Sequence, residues 1–218
     1  MFDITAFKKP LDAKLRTKYI EKLSFSMLKY ILPEFSSKFI WLDSPDLQTE
    51  DKAIGIEITE AIALQTAQID GEHAKWRFGK QTVHDKQECK RLIEKNGGTV
   101  DTIGISYPVV NSDMEWKIFE KVLRKKIIIL PTYKAKGFAK MGLFIFFNEL
   151  PIPFDLEASM TRFAEIQKDS VDQYDFLFFG YRTGVIGYNF HDMSYQHYPV
   201  DQDAFDDMSM YARRSVEE

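Results

Sequence analysis

Two carboxylates, Asp46 and Glu57, lie close together in the sequence: Asp46 is in the polar turn after one apolar stretch, and Glu57 is within the next apolar stretch. In the second stretch Ile54, Ile56 and Ile58 alternate with small or polar residues, which predicts a strand with one apolar face. Glu57 projects from the opposite face. An acid in a turn and an acid on the next strand can aim two carboxylates at one point. Mg2+ takes oxygen ligands and usually only one or two protein carboxylates, so the pair predicts a site for Mg2+ or Mn2+.

Such a site would support hydrolysis of a phosphodiester. A bound divalent cation lowers the pKa of a coordinated water and neutralises charge that develops on the phosphate. A structural interpretation stays open beside this one. Ser44, Pro45 and Asp46 also form a common turn sequence, and the polar face of the strand could simply meet water.

The same stretch resembles the metal motif of the restriction-endonuclease-like nucleases, the PD-(D/E)XK superfamily. Pro45 and Asp46 match the PD, and Glu57 matches the second acid. Thr59 stands where the family pattern has a lysine, so the match is incomplete. The resemblance is strongest over residues 11–60 and continues, by element order, to about residue 148.

The resemblance implies a Mg2+-dependent nuclease acting on DNA, and it implies roles for further residues. The first helix of this superfamily often lends an acid to the metal site, which makes Glu21 a candidate, although a partly exposed helix glutamate explains it as well. A lysine on a later helix could replace the charge missing at Thr59. Lys126 is the first choice and Lys125 the second. The candidates are therefore catalytic residues Asp46, Glu57, Thr59, Lys126, Lys125 and Glu21, and metal ligands Asp46, Glu57 and the carbonyl of Ile58.

Hydrophobic periodicity predicts the elements that position these residues. The core order is helix, three strands, helix, strand, over residues 11–31, 38–42, 53–59, 99–107, 114–130 and 142–148. This is an α/β fold with a mixed sheet and the α-β-β-β-α-β core of the restriction-endonuclease-like family. We expect a helical insertion at about 61–97, a helix at 155–168, a β-hairpin over 175–190 and an acidic tail at about 191–218.

Composition sets further limits. The 218 residues, 44% of them hydrophobic, predict a single domain over 1–218. The lone Cys89 excludes an internal disulfide, and the longest apolar runs are too short to span a bilayer, so we expect a cytoplasmic protein. Motifs of P-loop proteins, zincins and serine hydrolases are absent.

Charge is distributed unevenly along the chain. The net charge is −4, yet residues 114–140 carry eight basic residues against two acids. Such a segment is typical of a surface that faces a polyanion, or only of a solvated helix. Nucleic acid is the expected partner, and a homodimer is possible by resemblance. Two alternatives stay open: a catalytically inactive module of nuclease fold that binds nucleic acid or protein, and a protein partner that uses the acidic tail.

Overall fold

A computed structural model describes residues 11–78, 82–100, 105–107, 112–147 and 155–218. A short 3-10 helix, Ala13–Leu15, precedes the first α-helix. The helices are α1 (Arg16–Ile31), α2 (Pro33–Ser36), α3 (Leu64–Phe78), α4 (Val83–Lys95), α5 (Ser112–Ala135), α6 (Leu156–Gln167) and α7 (Gln202–Glu217). The strands are β1 (Phe39–Trp41), β2 (Leu47–Thr49), β3 (Ile54–Glu60), β4 (Thr99–Val100), β5 (Ile105–Ser106), β6 (Lys140–Phe146), β7 (Phe176–Tyr181), β8 (Gly184–Asn189) and β9 (Ser194–Pro199).

The main sheet of the described residues is mixed and has seven strands in the order β1-β2-β3-β6-β7-β8-β9. β1, β2 and β3 form an antiparallel meander. β6 pairs in parallel with β3 and with β7, whereas β8 and β9 return to antiparallel pairing. β4 and β5 form a separate two-stranded ribbon. β3 and β6 therefore occupy the centre of the sheet, where both faces are covered.

Two hydrophobic cores cover the two faces of this sheet. On one face, α5 and α6 pack Phe119, Leu130 and Phe163 against alternate residues of β6, β7 and β8. On the other face, α1 and α7 pack Leu23 and Phe205, with their neighbours, against the remaining residues of the same strands. The strands are buried on both sides, which explains why the sequence of β6 is an almost continuous apolar run.

Much of the predicted order agrees with the structure. The first two predicted strands correspond to β1 and β3, the predicted fourth strand to β6, and the predicted hairpin to β7 and β8. Two helices, α3 and α4, occupy the segment predicted as helical. A mixed α/β fold is confirmed.

Four predictions need correction. The polar turn after β1 contains a strand, β2. The predicted strand over residues 99–107 consists instead of β4 and β5, outside the main sheet; residues 101–104 between them are not among those described. Helix α5 continues through Pro131 to Ala135, because Leu130 and Tyr133 anchor its last turns in the core. The acidic tail consists of β9 and α7, and Tyr19 of α1 hydrogen-bonds Ser209 of α7 at 2.7 Å.

Within the described ranges, none of the helices is long and apolar enough to cross a membrane.

Candidate metal centre

The site lies where β2 begins. β2 pairs with only Gly55 and Ile56 of β3, so β3 beyond Ile56 has no strand partner on that side among the described residues. Asp46, directly before β2, uses this edge: its Oδ2 accepts a hydrogen bond of 2.7 Å from the backbone N–H of Ile58. Because the N–H and C=O of a strand residue point to the same edge, the carbonyl of Ile58 faces Asp46 as well.

Close packing fixes the loop that carries Asp46. A Cβ atom at Gly55 would lie 2.7 Å from Pro45 Cγ and 2.8 Å from Met141 Sδ, so only glycine lets Pro45 settle on β3 at this distance. The side-chain amide of Gln48 donates a hydrogen bond of 3.1 Å to the carbonyl of Pro45. The position of Asp46 therefore depends on the absence of a side chain at Gly55.

Glu57 is held by two residues of α5. Its carboxylate is buried, with 7% of the residue exposed. The Lys126 ammonium donates to Oε1 at 2.6 Å, and the Tyr133 hydroxyl donates to Oε2 at 2.7 Å. Tyr174 fixes the helix at this level, since its hydroxyl donates to the backbone carbonyl of Lys126 at 3.2 Å. Both oxygens of Glu57 thus have a protein partner.

Asp46 and Glu57 open into one cavity of about 410 Å3. Helix α1, which packs on the opposite face of the sheet from α5, contributes Glu21 to the lining. The cavity is lined by Arg16, Thr17, Ile20, Glu21, Asp46, Glu57, Ile58, Thr59, Glu60 and Lys126. The two motif carboxylates therefore face a common space.

Negative charge exceeds positive charge in this cavity. Arg16 makes a bidentate pair with Glu60, with both nitrogen–oxygen distances at 2.8 Å, and Lys126 pairs with Glu57. In the described part of the chain, Glu21 and Asp46 have no ion-pair partner. Two carboxylates are left without a compensating cation.

Burial, followed by the charge of the nearby Glu57 carboxylate, raises the pKa of Asp46 to about 7, whereas the hydrogen bond from the Ile58 N–H opposes the change. Burial, followed by the charge of Glu57, also raises the pKa of Glu21. The protein therefore holds Asp46 at an energetic disadvantage in its charged form. A bound cation would remove that disadvantage.

The structure brings five of the six predicted catalytic residues to this cavity: Glu21, Asp46, Glu57, Thr59 and Lys126. Lys125 is exposed on α5 and does not line it. Sequence reasoning missed Tyr133 and Arg16. Tyr133 lies two helical turns after Lys126, so the two share one face of α5, and that spacing is the signal that could have identified it.

The donor set fits a small, hard cation. Among the described residues, no three Asp, Glu, His or Cys side chains form a group positioned to hold a metal ion together. Mg2+ usually takes only one or two protein carboxylates and keeps several waters, so Asp46, Glu57 and the Ile58 carbonyl are the groups that could hold it here. A zinc or calcium cage would need more protein ligands than this edge supplies.

Comparisons with protein-family models, with curated proteins and with solved structures found no match.

Proposed function

We propose that this protein is a Mg2+-dependent nuclease that hydrolyses phosphodiester bonds in DNA. One observation carries the proposal: Asp46 and Glu21, two carboxylates without an ion-pair partner in the described residues, share a cavity with Glu57, Lys126 and the edge of β3 beyond Ile56. With Glu57 buried and Asp46 and Glu21 half-buried, this excess of negative charge is costly unless a cation compensates it.

Each residue has a specific role in this proposal. Asp46, Glu57 and the Ile58 carbonyl would hold Mg2+, and Glu21, on α1, would accept a hydrogen bond from the attacking water. The cation would supply an acidic water and charge neutralisation at the phosphate. Lys126 would leave Glu57 and donate to a phosphate oxygen, which replaces the lysine absent at Thr59. Tyr133 would keep Glu57 oriented through its hydrogen bond to Oε2.

The order of the elements supports the nuclease fold. An antiparallel meander, β1-β2-β3, follows α1, and β6 joins β3 in parallel after α5. Asp46 precedes the second strand of the meander and Glu57 lies on the third. The resemblance to the PD-(D/E)XK nucleases implied the first acid in a turn and the second acid on the next strand, followed by a third strand at residues 99–107. Here β2 lies between the two acids, so we take β1, β2 and β3 as the three strands of the nuclease core.

An exposed row of lysines supports a polyanionic substrate. Lys117, Lys121 and Lys125 recur every fourth residue on α5 and are exposed. Successive members are about 6 Å apart along the helix axis, and none forms an ion pair within the described residues. The row runs along the helix that also carries Lys126, so it would lead a phosphate backbone toward the cavity.

A cleavage assay tests the proposal. Purified protein is incubated with supercoiled plasmid in EDTA, Mg2+ or Mn2+, beside the variants Glu57→Gln and Glu50→Gln. Glu50 is exposed in the turn between β2 and β3 and provides the matched control. We expect nicking that requires the divalent cation, is lost in Glu57→Gln and is unchanged in Glu50→Gln. Cleavage that survives Glu57→Gln, or no cleavage of plasmid, single-stranded DNA or RNA, would refute the proposal.

Thr59 favours a second candidate, a binding module of the same fold that has lost catalysis. Threonine cannot supply the positive charge that the family motif has at this position, and Lys126 is already paired with Glu57. Such a module would bind DNA with strong salt dependence, would not respond to Mg2+ and would not cleave it. Filter binding of a labelled duplex with and without Mg2+, beside the plasmid assay, distinguishes the two candidates.

A further inference from the structure

A second cavity, of about 690 Å3, lies on the α1/α7 face of the main sheet. Leu32, just after α1, borders it, whereas Arg16 at the start of α1 lines the acidic cavity. A helix of this length spans about 24 Å, so the two cavities lie at opposite ends of α1. The volume is within the range of small-molecule sites, roughly 300–1,000 Å3.

Strand pairing creates the hollow around Gly187. Phe178, Gly187 and Gln196 lie side by side on β7, β8 and β9, and Phe176, Asn189 and Ser194 form the next row on the same face. Gly187 leaves the centre of this patch without a side chain. A Cβ atom there would meet Tyr198 and Phe178 at 3.4 and 3.5 Å, which is ordinary contact. The structure therefore has room for a small side chain at position 187, so close packing of the sheet does not explain why this residue is glycine.

The two sides of the hollow differ in chemistry. Phe176 and Phe178 form the aromatic side, and Phe35 of α2 packs on both, with ring centroids 6.2 Å from each. The amides of Asn189 and Gln196 form the polar side. Their oxygens accept hydrogen bonds from the His191 N–H and the Tyr198 hydroxyl.

Hydrogen-bond donors remain available at this polar side. Within the described residues, the NH2 groups of Asn189 and Gln196 have no hydrogen-bond acceptor, nor has the ammonium group of Lys140, which also lines the cavity. Asp175 lines it too, but its Oδ2 accepts the Met141 N–H at 2.8 Å and lies 3.4 Å from Lys134. The cavity thus offers two amide donors and one cation, and its one carboxylate is already compensated.

We propose that this cavity binds a nucleotide unit, either as a free mononucleotide or within a single strand. The base packs on Phe35 and Phe176, since aromatic rings stack on bases of every type. The amides of Asn189 and Gln196 donate to acceptors on the edge of the base. Lys140 pairs with the phosphate. Asn189, Gln196 and Lys140 are exposed at the rim of the cavity, so a ligand with hydrogen-bond acceptors and a negative charge gains contacts there that a purely apolar ligand lacks.

This inference does not depend on the proposed nuclease. No residue of the acidic cavity lines the second cavity, so each site can be tested while the other is disabled. The Glu57→Gln variant should keep nucleotide binding. A substitution at Gly187 that abolishes nucleotide binding should leave Mg2+ binding unchanged.

Isothermal titration calorimetry on the full chain tests the proposal. The probes are the four common ribonucleoside 5′-monophosphates, the matching nucleosides and a ten-residue oligodeoxythymidylate. We expect saturable binding of at least one mononucleotide or of the oligonucleotide. Binding of a mononucleotide identifies a free nucleotide as the ligand, whereas binding of the oligonucleotide alone identifies a single strand. Gly187→Val should abolish it by filling the hollow, with Gly187→Ala intermediate. Lys140→Gln should weaken mononucleotide binding by roughly two- to fivefold and leave nucleoside binding unchanged.

Lys86→Gln is the matched control, because Lys86 is exposed on α4 and does not line the cavity. It should bind like the natural protein. Thermal unfolding of each variant shows that it is folded before titration. Absence of saturable binding for every probe overturns the proposal. Binding that Gly187→Val leaves intact in a folded protein places the ligand elsewhere and overturns it equally.

Discussion

Replacing Asp46 by asparagine should stabilise the metal-free protein at neutral and alkaline pH. Asparagine has nearly the same shape, and its oxygen can still accept the hydrogen bond from Ile58 N. It has no charge, so the repulsion from Glu57 and the cost of burying the charge disappear. Residues that bind a ligand often destabilise the folded protein when the ligand is absent.

The sign and magnitude follow from the pKa of Asp46. The pKa is raised from 3.8 to about 7 on folding, so between these values the folded state binds more protons than the unfolded state. Stability therefore falls as pH rises through this range. At about 1.4 kcal/mol for each pKa unit, the difference sets an upper limit of about 4 kcal/mol. Asp46 is only partly shielded from solvent, so we expect a gain of about 1–3 kcal/mol for Asp46→Asn at pH 8.

Urea denaturation at pH 5 and pH 8, in EDTA and in Mg2+, measures this effect. In EDTA the natural protein should lose stability between the two pH values, and Asp46→Asn should lose less. Mg2+ should restore stability to the natural protein at pH 8 and have little effect on the variant, because binding to the folded state alone shifts the equilibrium. Asp43→Asn, at an exposed acid in the same loop, is the matched control and should behave like the natural protein.

The reasoning fails if Asp46→Asn is less stable than the natural protein at pH 8 in EDTA. That result would mean that the carboxylate is favourably placed without a cation, so the cavity would have no electrostatic reason to bind one.

Three further substitutions test how the site is assembled. Lys126→Gln should reduce DNA cleavage by on the order of 100-fold while Mg2+ affinity, by calorimetry, is kept or increased, because the cation that competes for Glu57 is gone; equal loss of both would assign Lys126 a purely structural role. Gly55→Ala should lower the free energy of unfolding, measured in urea, by about 1–3 kcal/mol and weaken Mg2+ binding, because its Cβ would displace Pro45. A variant with unchanged stability and Mg2+ binding would contradict this packing argument. Tyr133→Phe should lower the free energy of unfolding by about 1–2 kcal/mol, because the hydrogen bond to Glu57 is lost. An unchanged urea midpoint would count against that contact.

The strands next to the site could be predicted because their patterns are local. Alternating isoleucines identified β3, and an uninterrupted apolar run identified β6. β2 was missed because three residues within a polar turn carry almost no periodicity, and only their pairing with β1 and β3 identifies the strand. β1, β3, α5 and β6 were therefore predicted, whereas the third strand of the predicted core was assigned to residues 99–107, which contribute no strand to the main sheet.

Residues 99–107 illustrate why an alternating pattern is not sufficient. Val100 is buried, but it packs with Ile69 and Ile93 of α3 and α4. The apolar side chain that predicted a strand of the main sheet is thus buried against the helices α3 and α4 instead. α7 was hidden for a different reason: its acidic composition indicated a tail, whereas Phe205, Met208 and Ala212 recur at helical spacing and pack on the sheet.

The candidate site was predicted to the extent that strand register determines it. One residue beyond the last pair of β2 and β3, Asp46 lies opposite Glu57, so their convergence follows from the turn and the strand. Contacts from α5 do not follow from local sequence. The Lys126 and Tyr133 bonds to Glu57 depend on how the helix crosses the sheet, which only the packed fold defines.

A crystal of the natural protein soaked in Mn2+ tests the central claim most directly, because Mn2+ replaces Mg2+ and can be located by anomalous scattering. We predict an anomalous peak at bonding distance from the carboxylates of Asp46 and Glu57 and from the Ile58 carbonyl, with Lys126 moved off Glu57. A saturating soak that leaves this cavity without a peak, and Lys126 still bonded to Glu57, would contradict the claim.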